Sequence, residues 1–253
     1  MRIVSLVNGS LLSEAASLYA ITYAKSVQLP LTLLFIDNGL ESIEHFRLSE
    51  LSLKELAKAQ DVDIEVIILA GDILDTLHHF AQLYAIDTLF CATRKQSSSH
   101  SFSDKIVAAR LEMDIAVVKV KNVSHVRSYH RVLFAAGSSI NVHAYMLWLG
   151  LLKDNEALGK LYLQNNRSAF KTTTTSGLKY EAEPFVQMAK MLHKSVEVVN
   201  TLQPVNPEAM NNYLIANNLD LVIYDAHAYS KRILNQVSDE SSINSILYYS
   251  WKV

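Results

Sequence analysis

The sequence predicts an α/β protein of two tandem domains, each built on a mostly parallel five-stranded sheet. Three observations carry this expectation. Strand-like apolar runs alternate with helix-like stretches along the chain. The opening segment Arg2-Ile3-Val4-Ser5-Leu6-Val7-Asn8-Gly9-Ser10 returns in the middle as Arg131-Val132-Leu133-Phe134-Ala135-Ala136-Gly137-Ser138. The spacing from Gly9 to Gly137 is 128 residues in a chain of 253, the size of one ordinary domain.

The elements follow in order. Ile3 to Val7 is too uniformly apolar for a two-faced antiparallel strand and reads as a buried parallel one. Ser13 to Lys25 reads as a helix, because Leu12, Ala15, Ala16, Tyr19 and Tyr23 recur at spacings of three and four. Strands are then expected at Leu31 to Ile36, Ile64 to Leu69, Thr88 to Ala92 and Ile115 to Val120. Helices are expected between them at Leu51 to Ala59, Ile73 to Tyr84 and Asp104 to Glu112. Crossovers of this length make the sheet parallel, with helices on both faces.

The second half repeats the order. Strands are expected at Val132 to Ala135, Lys160 to Leu163, Val196 to Val199, Leu221 to Tyr224 and, less regularly, Ile246 to Trp251. The helices fall at Val142 to Leu152, Pro184 to Leu192, Pro207 to Asn217 and Lys231 to Gln236. Gln164 to Glu181 shows no apolar period and reads as a loop insertion. The domains are placed at residues 1–124 and 128–253, with the boundary in the polar stretch Asn122 to Ser128.

Composition narrows the function classes. The balance of 23 basic against 25 acidic residues, with no dense Lys/Arg block, argues against nucleic acid as the partner. The single cysteine, Cys91, excludes an internal disulfide or a multi-cysteine zinc site, and a reducing cytoplasm fits it. The first residues run straight into a strand pattern without the segments of a signal peptide. Val132 to Leu152 carries no Asp, Glu, Lys or Arg and is long enough to span a bilayer if helical, but Gly137, Ser138, Ser139 and Asn141 interrupt it where a strand turns into a helix. No membrane partner is expected.

Catalytic and metal motifs are missing. His78-His79 on one helix point about 100° apart and cannot share a metal. There is no Gly-x-Ser-x-Gly elbow and no Lys-containing P-loop.

The order of pieces carries a family resemblance. Val7-Asn8-Gly9-Ser10 with Ser13-Glu14-Ala15-Ala16, then Leu31-Thr32-Leu33-Leu34-Phe35-Ile36, then Gly71-Asp72-Ile73 leading to Ala85-Ile86-Asp87-Thr88-Leu89-Phe90, resemble a universal stress protein domain across residues 1–121. The second half is similar more faintly, through Ala136-Gly137-Ser138 and Asn218-Leu219-Asp220-Leu221-Val222-Ile223. The resemblance implies two adenine-nucleotide α-hydrolase-like, Rossmann-like domains in a stress-response or regulatory protein. It also implies pairing through final strands, here as an internal pseudo-dimer, with any homodimer or protein partner using a second surface.

ATP-binding members of that family hold phosphate on a glycine-patterned loop after the fourth strand, where backbone N–H groups approach the anion. Here the pattern positions carry Ala92, Lys95 and Ser103-Asp104. The resemblance also implies an Asp after the first strand, replaced here by Asn8 and matched in the second half by Ala136. The candidate ligand residues are therefore Asn8, Gly9, Ser10, Ile36, Ala92, Thr93, Arg94, Lys95 and Ser103. A small anionic ligand or an adenine nucleotide is the occupant to test, with ATP and AMP disfavoured and no cofactor, metal or catalytic residue expected. Asp104 in the first helical turn suits a helix cap better than a phosphate cradle. The second-half loop Asp225-Ala226-His227-Ala228-Tyr229-Ser230 cannot imitate the glycine pattern, so the first half is the binding half if either is.

Overall fold

The computed structural model describes residues 1–39, 42–93, 102–109, 111–137, 139–152, 157–164, 175–201 and 206–251, with backbone alone at residues 102, 175–181 and 200. The chain divides into two compact units, one of Met1–Val126 with Tyr249–Val253 and the other of Arg127–Tyr248.

Unit 1 runs β1 (Arg2–Leu6), α1 (Leu11–Val27), β2 (Leu31–Asp37), α2 (Ile43–Ala59), β3 (Ile64–Ala70), α3 (Ile73–Leu83), β4 (Ile86–Thr93), α4 (Phe102–Ala108), β5 (Asp114–Lys119) and the short α5 (Ser124–Arg127). Its strands lie in the order β3-β2-β1-β4-β5, all in parallel. Unit 2 runs β6 (Arg131–Ala136), α6 (Val142–Leu151), β7 (Leu158–Gln164), α7 (Thr175–Met191), β8 (Ser195–Thr201), α8 (Pro207–Ala216), β9 (Leu221–Asp225), a 3-10 turn (Ala226–Ala228), α9 (Lys231–Glu240) and β10 (Asn244–Tyr249). Its order β8-β7-β6-β9-β10 is the same topology repeated, again in parallel.

Helix starts follow the capping residues. Ser10 and Ser42 accept the N–H groups of Ser13 and His45, Asp72 accepts those of Leu74 and Asp75, and Asn141 accepts that of Ala144. Each satisfies an orphan donor of the first turn. The uncharged stretch Val132 to Leu152 is a buried strand and an internal helix: Ala144, Tyr145, Leu147, Trp148, Leu149 and Leu151 of α6 are all buried. Among the described residues no helix is long and apolar enough to cross a membrane.

The halves repeat with a shift of one residue from the sequence match. In unit 1 the Ser5 hydroxyl on β1 meets the Ser17 hydroxyl on α1 at 2.9 Å. In unit 2 Phe134 on β6 stacks on Trp148 of α6 at 5.8 Å. Ser17 and Trp148 both stand seven residues after their helix caps, Ser10 and Asn141, so Ser5 corresponds to Phe134. Asn8 therefore corresponds to Gly137 and not to Ala136, and the strand-to-helix turn of unit 2 is two residues longer. Strand pairing carries the correspondence outward, Ile36 matching Gln164 and Ala92 matching Asp225.

Two other expectations are corrected. The stretch read as a loop from Gln164 to Glu181 is helical from Thr175, and Pro184 lies inside α7 instead of opening it. Tertiary packing overrides local signals there: Ala182 and Ala189 are buried, and Phe185 meets the Tyr145 ring edge-on at 4.9 Å. The Tyr145 hydroxyl also donates to the Phe185 carbonyl. Residues 165–174 lie outside the described residues. The last strand ends at Tyr249, two residues before the expected Trp251, because Ser250 and Trp251 bond to Asp114.

Candidate functional site

In an open parallel sheet, ligands bind beyond the carboxyl ends of the strands, where neighbouring connections leave in opposite directions. In unit 1 that point lies between β1 and β4, with β2 on the far side of β1.

The β1–α1 turn is a closed hydrogen-bonded unit. Asn8 Oδ1 accepts the Ser10 N–H at 3.1 Å, and the Asn8 N–H donates to Ser13 Oγ at 3.3 Å. Ser13 Oγ donates to the Ser10 carbonyl at 2.8 Å, while Ser10 Oγ accepts the Ser13 N–H at 3.2 Å. The carbonyl oxygen of Asn8 is thus engaged in shaping the turn. Gly9 has φ +79°, and a Cβ there would lie 2.6 Å from the His45 carbonyl carbon and 2.7 Å from Phe46 N. The first turns of α2 rest on this glycine, a packing reason for it that involves no ligand. Glu14, in the first turn of α1, accepts the Ser49 hydroxyl of α2 and ties the same two helices together.

The structure brings Asn8, Gly9 and Ser10 together at the end of β1, Ile36 to the end of β2, and Ala92 and Thr93 to the end of β4. Ser103 is buried in the first turn of α4. Asp104 occupies that same turn, where its charge complements the helix dipole and opposes an anion. Arg94 and Lys95 lie outside the described residues. Behind the site Cys91 is fully buried, and burial pushes its thiol up to about 12. Among the described residues no group of three or more His, Cys, Asp or Glu side chains could hold a metal ion.

The corresponding position in unit 2 is filled by the chain itself. A Cβ on Gly137 would lie 2.8 Å from the Ala228 methyl carbon. The Tyr229 hydroxyl donates to the Ala136 carbonyl at 3.2 Å, and its ring stands at 88° to Tyr224. Asp225, which replaces Ala92, accepts the His227 N–H at 3.1 Å. Burial raises its carboxyl above the ordinary value, against the hydrogen bond and charge of His227 and the Asn141 N–H. An internal carboxylate thus faces the amide that opens α6.

Comparison of the whole chain with solved structures decides the fold. A universal stress protein from Archaeoglobus fulgidus superposes with a TM-score of 0.58 at 16% identity, covering 97% of this chain and 94% of that one. The chain has the universal stress protein fold. A candidate universal stress protein from Pseudomonas aeruginosa gives 0.58 at 13% identity over 97% of this chain and 91% of that one. The cytoplasmic domain of a prokaryotic cation chloride cotransporter superposes with a TM-score of 0.61 at 9% identity over 99% of this chain and 95% of that one. No protein-family model and no curated protein sequence matches the chain.

Sequence reasoning found the strand ends but missed their second layer. Ser13, Glu14 and Ser49 hold the first turn, and Ala228 with Tyr229 fills the second. The bare Gly137 facing a loop rich in small residues was the one available signal for that filling.

Proposed function

We propose that this chain is a universal-stress-protein-like stress-response or regulatory protein that works in the cytoplasm by binding, without catalytic turnover, and that unit 1 is its binding half. One observation supports this most: Ala228, Tyr229 and Asp225 fill the strand-end position of unit 2, and among the described residues the corresponding strand ends of unit 1 carry Asn8, Ser10, Ile36, Ala92 and Thr93. The ligand class is a small anion or an adenine nucleotide, for which Arg94 and Lys95 are the cations in the sequence after β4 and Thr93 and Ser103 the hydroxyls. Asn8 and Asp104 disfavour ATP, since a carboxylate in the first turn of α4 repels phosphate.

Mass spectrometry of the supernatant from denatured protein tests whether any small molecule travels with the chain. Calorimetric titration with ATP should find no site tighter than about 100 μM, near −5.5 kcal/mol. Micromolar ATP binding with slow release of phosphate would instead support an ATP-hydrolysing first domain.

A further inference from the structure

Strand β3 stands at the end of the strand order, and among the described residues it pairs with β2 alone. The Leu31 N–H donates to the Asp63 carbonyl at 2.9 Å and the Gly71 N–H to the Asp37 carbonyl at 3.0 Å. Alternation along the parallel ladder between these two bonds turns the backbone of Glu65, Ile67 and Leu69 toward β2. Ile64, Val66, Ile68 and Ala70 therefore direct their N–H and C=O groups outward. All four are apolar, Ile68 is 36% exposed, and no residue of β3 is fully buried. The strand runs for seven residues without Lys or Pro, and its single charge, Glu65, is tied to Arg2 at 2.6 Å. The edge strand of unit 2 differs in kind, since Ser195, Glu197, Asn200 and Thr201 make most of β8 polar. A long, apolar edge with none of the usual guarding residues is a template for another strand.

The occupant that fits is a second copy of β3. Antiparallel pairing about a twofold axis through Ile67 sets Val66 opposite Ile68 and Ile64 opposite Ala70, so every outward N–H and C=O finds a mate. Glu65 falls opposite Leu69, and no like charges face each other. Such a pairing closes on itself and leaves no open β3 edge for a third chain. We propose that the chain forms a homodimer in which unit 1 pairs with unit 1 of a second copy through β3 in this antiparallel register. The interface uses no candidate ligand residue, so it stands or falls separately from the binding reading.

Sedimentation of the full chain at about 20 μM should give a particle of twice 28.4 kDa. Ile68→Lys places a charge on the outward edge and should raise the dissociation constant at least about tenfold. Val66→Pro deletes an outward N–H while sparing the ladder to β2, and should do the same. Ile67→Cys reads the register directly, because facing residues of a non-hydrogen-bonded antiparallel pair lie about 4.5 Å apart between Cα atoms, within disulfide reach. Mild oxidation should link two copies of that variant, whereas Glu65→Cys, set opposite Leu69, should not link to itself. A wild-type monomer at that concentration, a dimer indifferent to both edge variants, or equal crosslinking at positions 65 and 67 overturns the proposal. Ile67→Cys decides the matter alone should Val66→Pro and Ile68→Lys fail to fold.

Discussion

Replacing Gly9 with alanine separates a packing role from a ligand-cradling one. Two costs add at this position. A non-glycine residue at φ +79° carries roughly 1–2 kcal/mol of backbone strain. The new methyl would also lie 2.6 to 2.7 Å from His45 C, His45 Cβ and Phe46 N. Two of those atoms are backbone, so α2 itself must move, an overpacking cost of about 1–3 kcal/mol. The sum is about 2–5 kcal/mol, and at about 2–4 °C per kcal/mol the melting temperature should fall by roughly 4–20 °C. Gly39 supplies the control, with φ +75° and nothing among the described residues within 4 Å of its added Cβ. Gly39→Ala should therefore carry only the conformational part and lose about 2–8 °C. Calorimetric melts of both variants without ligand make the comparison. Equal falls would refute the seating of α2 on this turn and return Gly9 to a role in binding.

Three further outcomes are expected. Gly137→Ala should cost about 1–3 kcal/mol by meeting Ala228, and adding Ala228→Gly should recover at least half; simple additivity in urea melts would show that the two do not touch. Because the Asp225 carboxyl is held above its ordinary value of 3.8, mainly by burial, the folded state keeps its proton to higher pH than the unfolded chain. That contribution to stability is complete below about pH 4 and is lost as pH rises through the raised folded value. Asp225→Asn removes this slope, so its stability relative to wild type should improve between pH 4 and pH 7; a gap independent of pH would contradict the assignment. Finally, Cys91, buried and with its thiol pushed up to about 12, should resist a disulfide labelling reagent at pH 8 until urea is added, and prompt labelling of the native protein would show an opening path to β4.

What the sequence made legible was periodic or locally capped. Buried strands such as Leu31 to Ile36 read as apolar runs broken only by Thr32, and caps such as Ser10 and Asp72 mark their helices by residue type alone. The two turns correspond with an offset of one residue from their sequence match, because Gly9 and Gly137 share a residue type and not a reason. Gly9 answers to φ +79° and α2, whereas Gly137 answers to Ala228. The early start of α7 was hidden because Pro184 looks like a first-turn residue when the packing of Phe185 against Tyr145 is not in view. The carboxylate bonds at Asp114 join residues so far apart in sequence that no local pattern could announce them.

The matched core positions bear on what the two halves can exchange. In unit 2 a Cβ on Gly159 would lie 2.7 Å from the Trp148 ring, so the helix side chain fills space that the strand leaves empty. The register gives Leu31 as the counterpart of Gly159, and Ser17 is the counterpart of Trp148. Bulk sits on the strand in one half and on the helix in the other. Recombination that carried α6 into unit 1 would drive an indole against Leu31, and the reciprocal product would leave Ser17 over a bare glycine, a void the size of a large side chain. The halves have become mutually foreign pieces of one chain, and repeat shuffling within its gene would be purged by misfolding of either product.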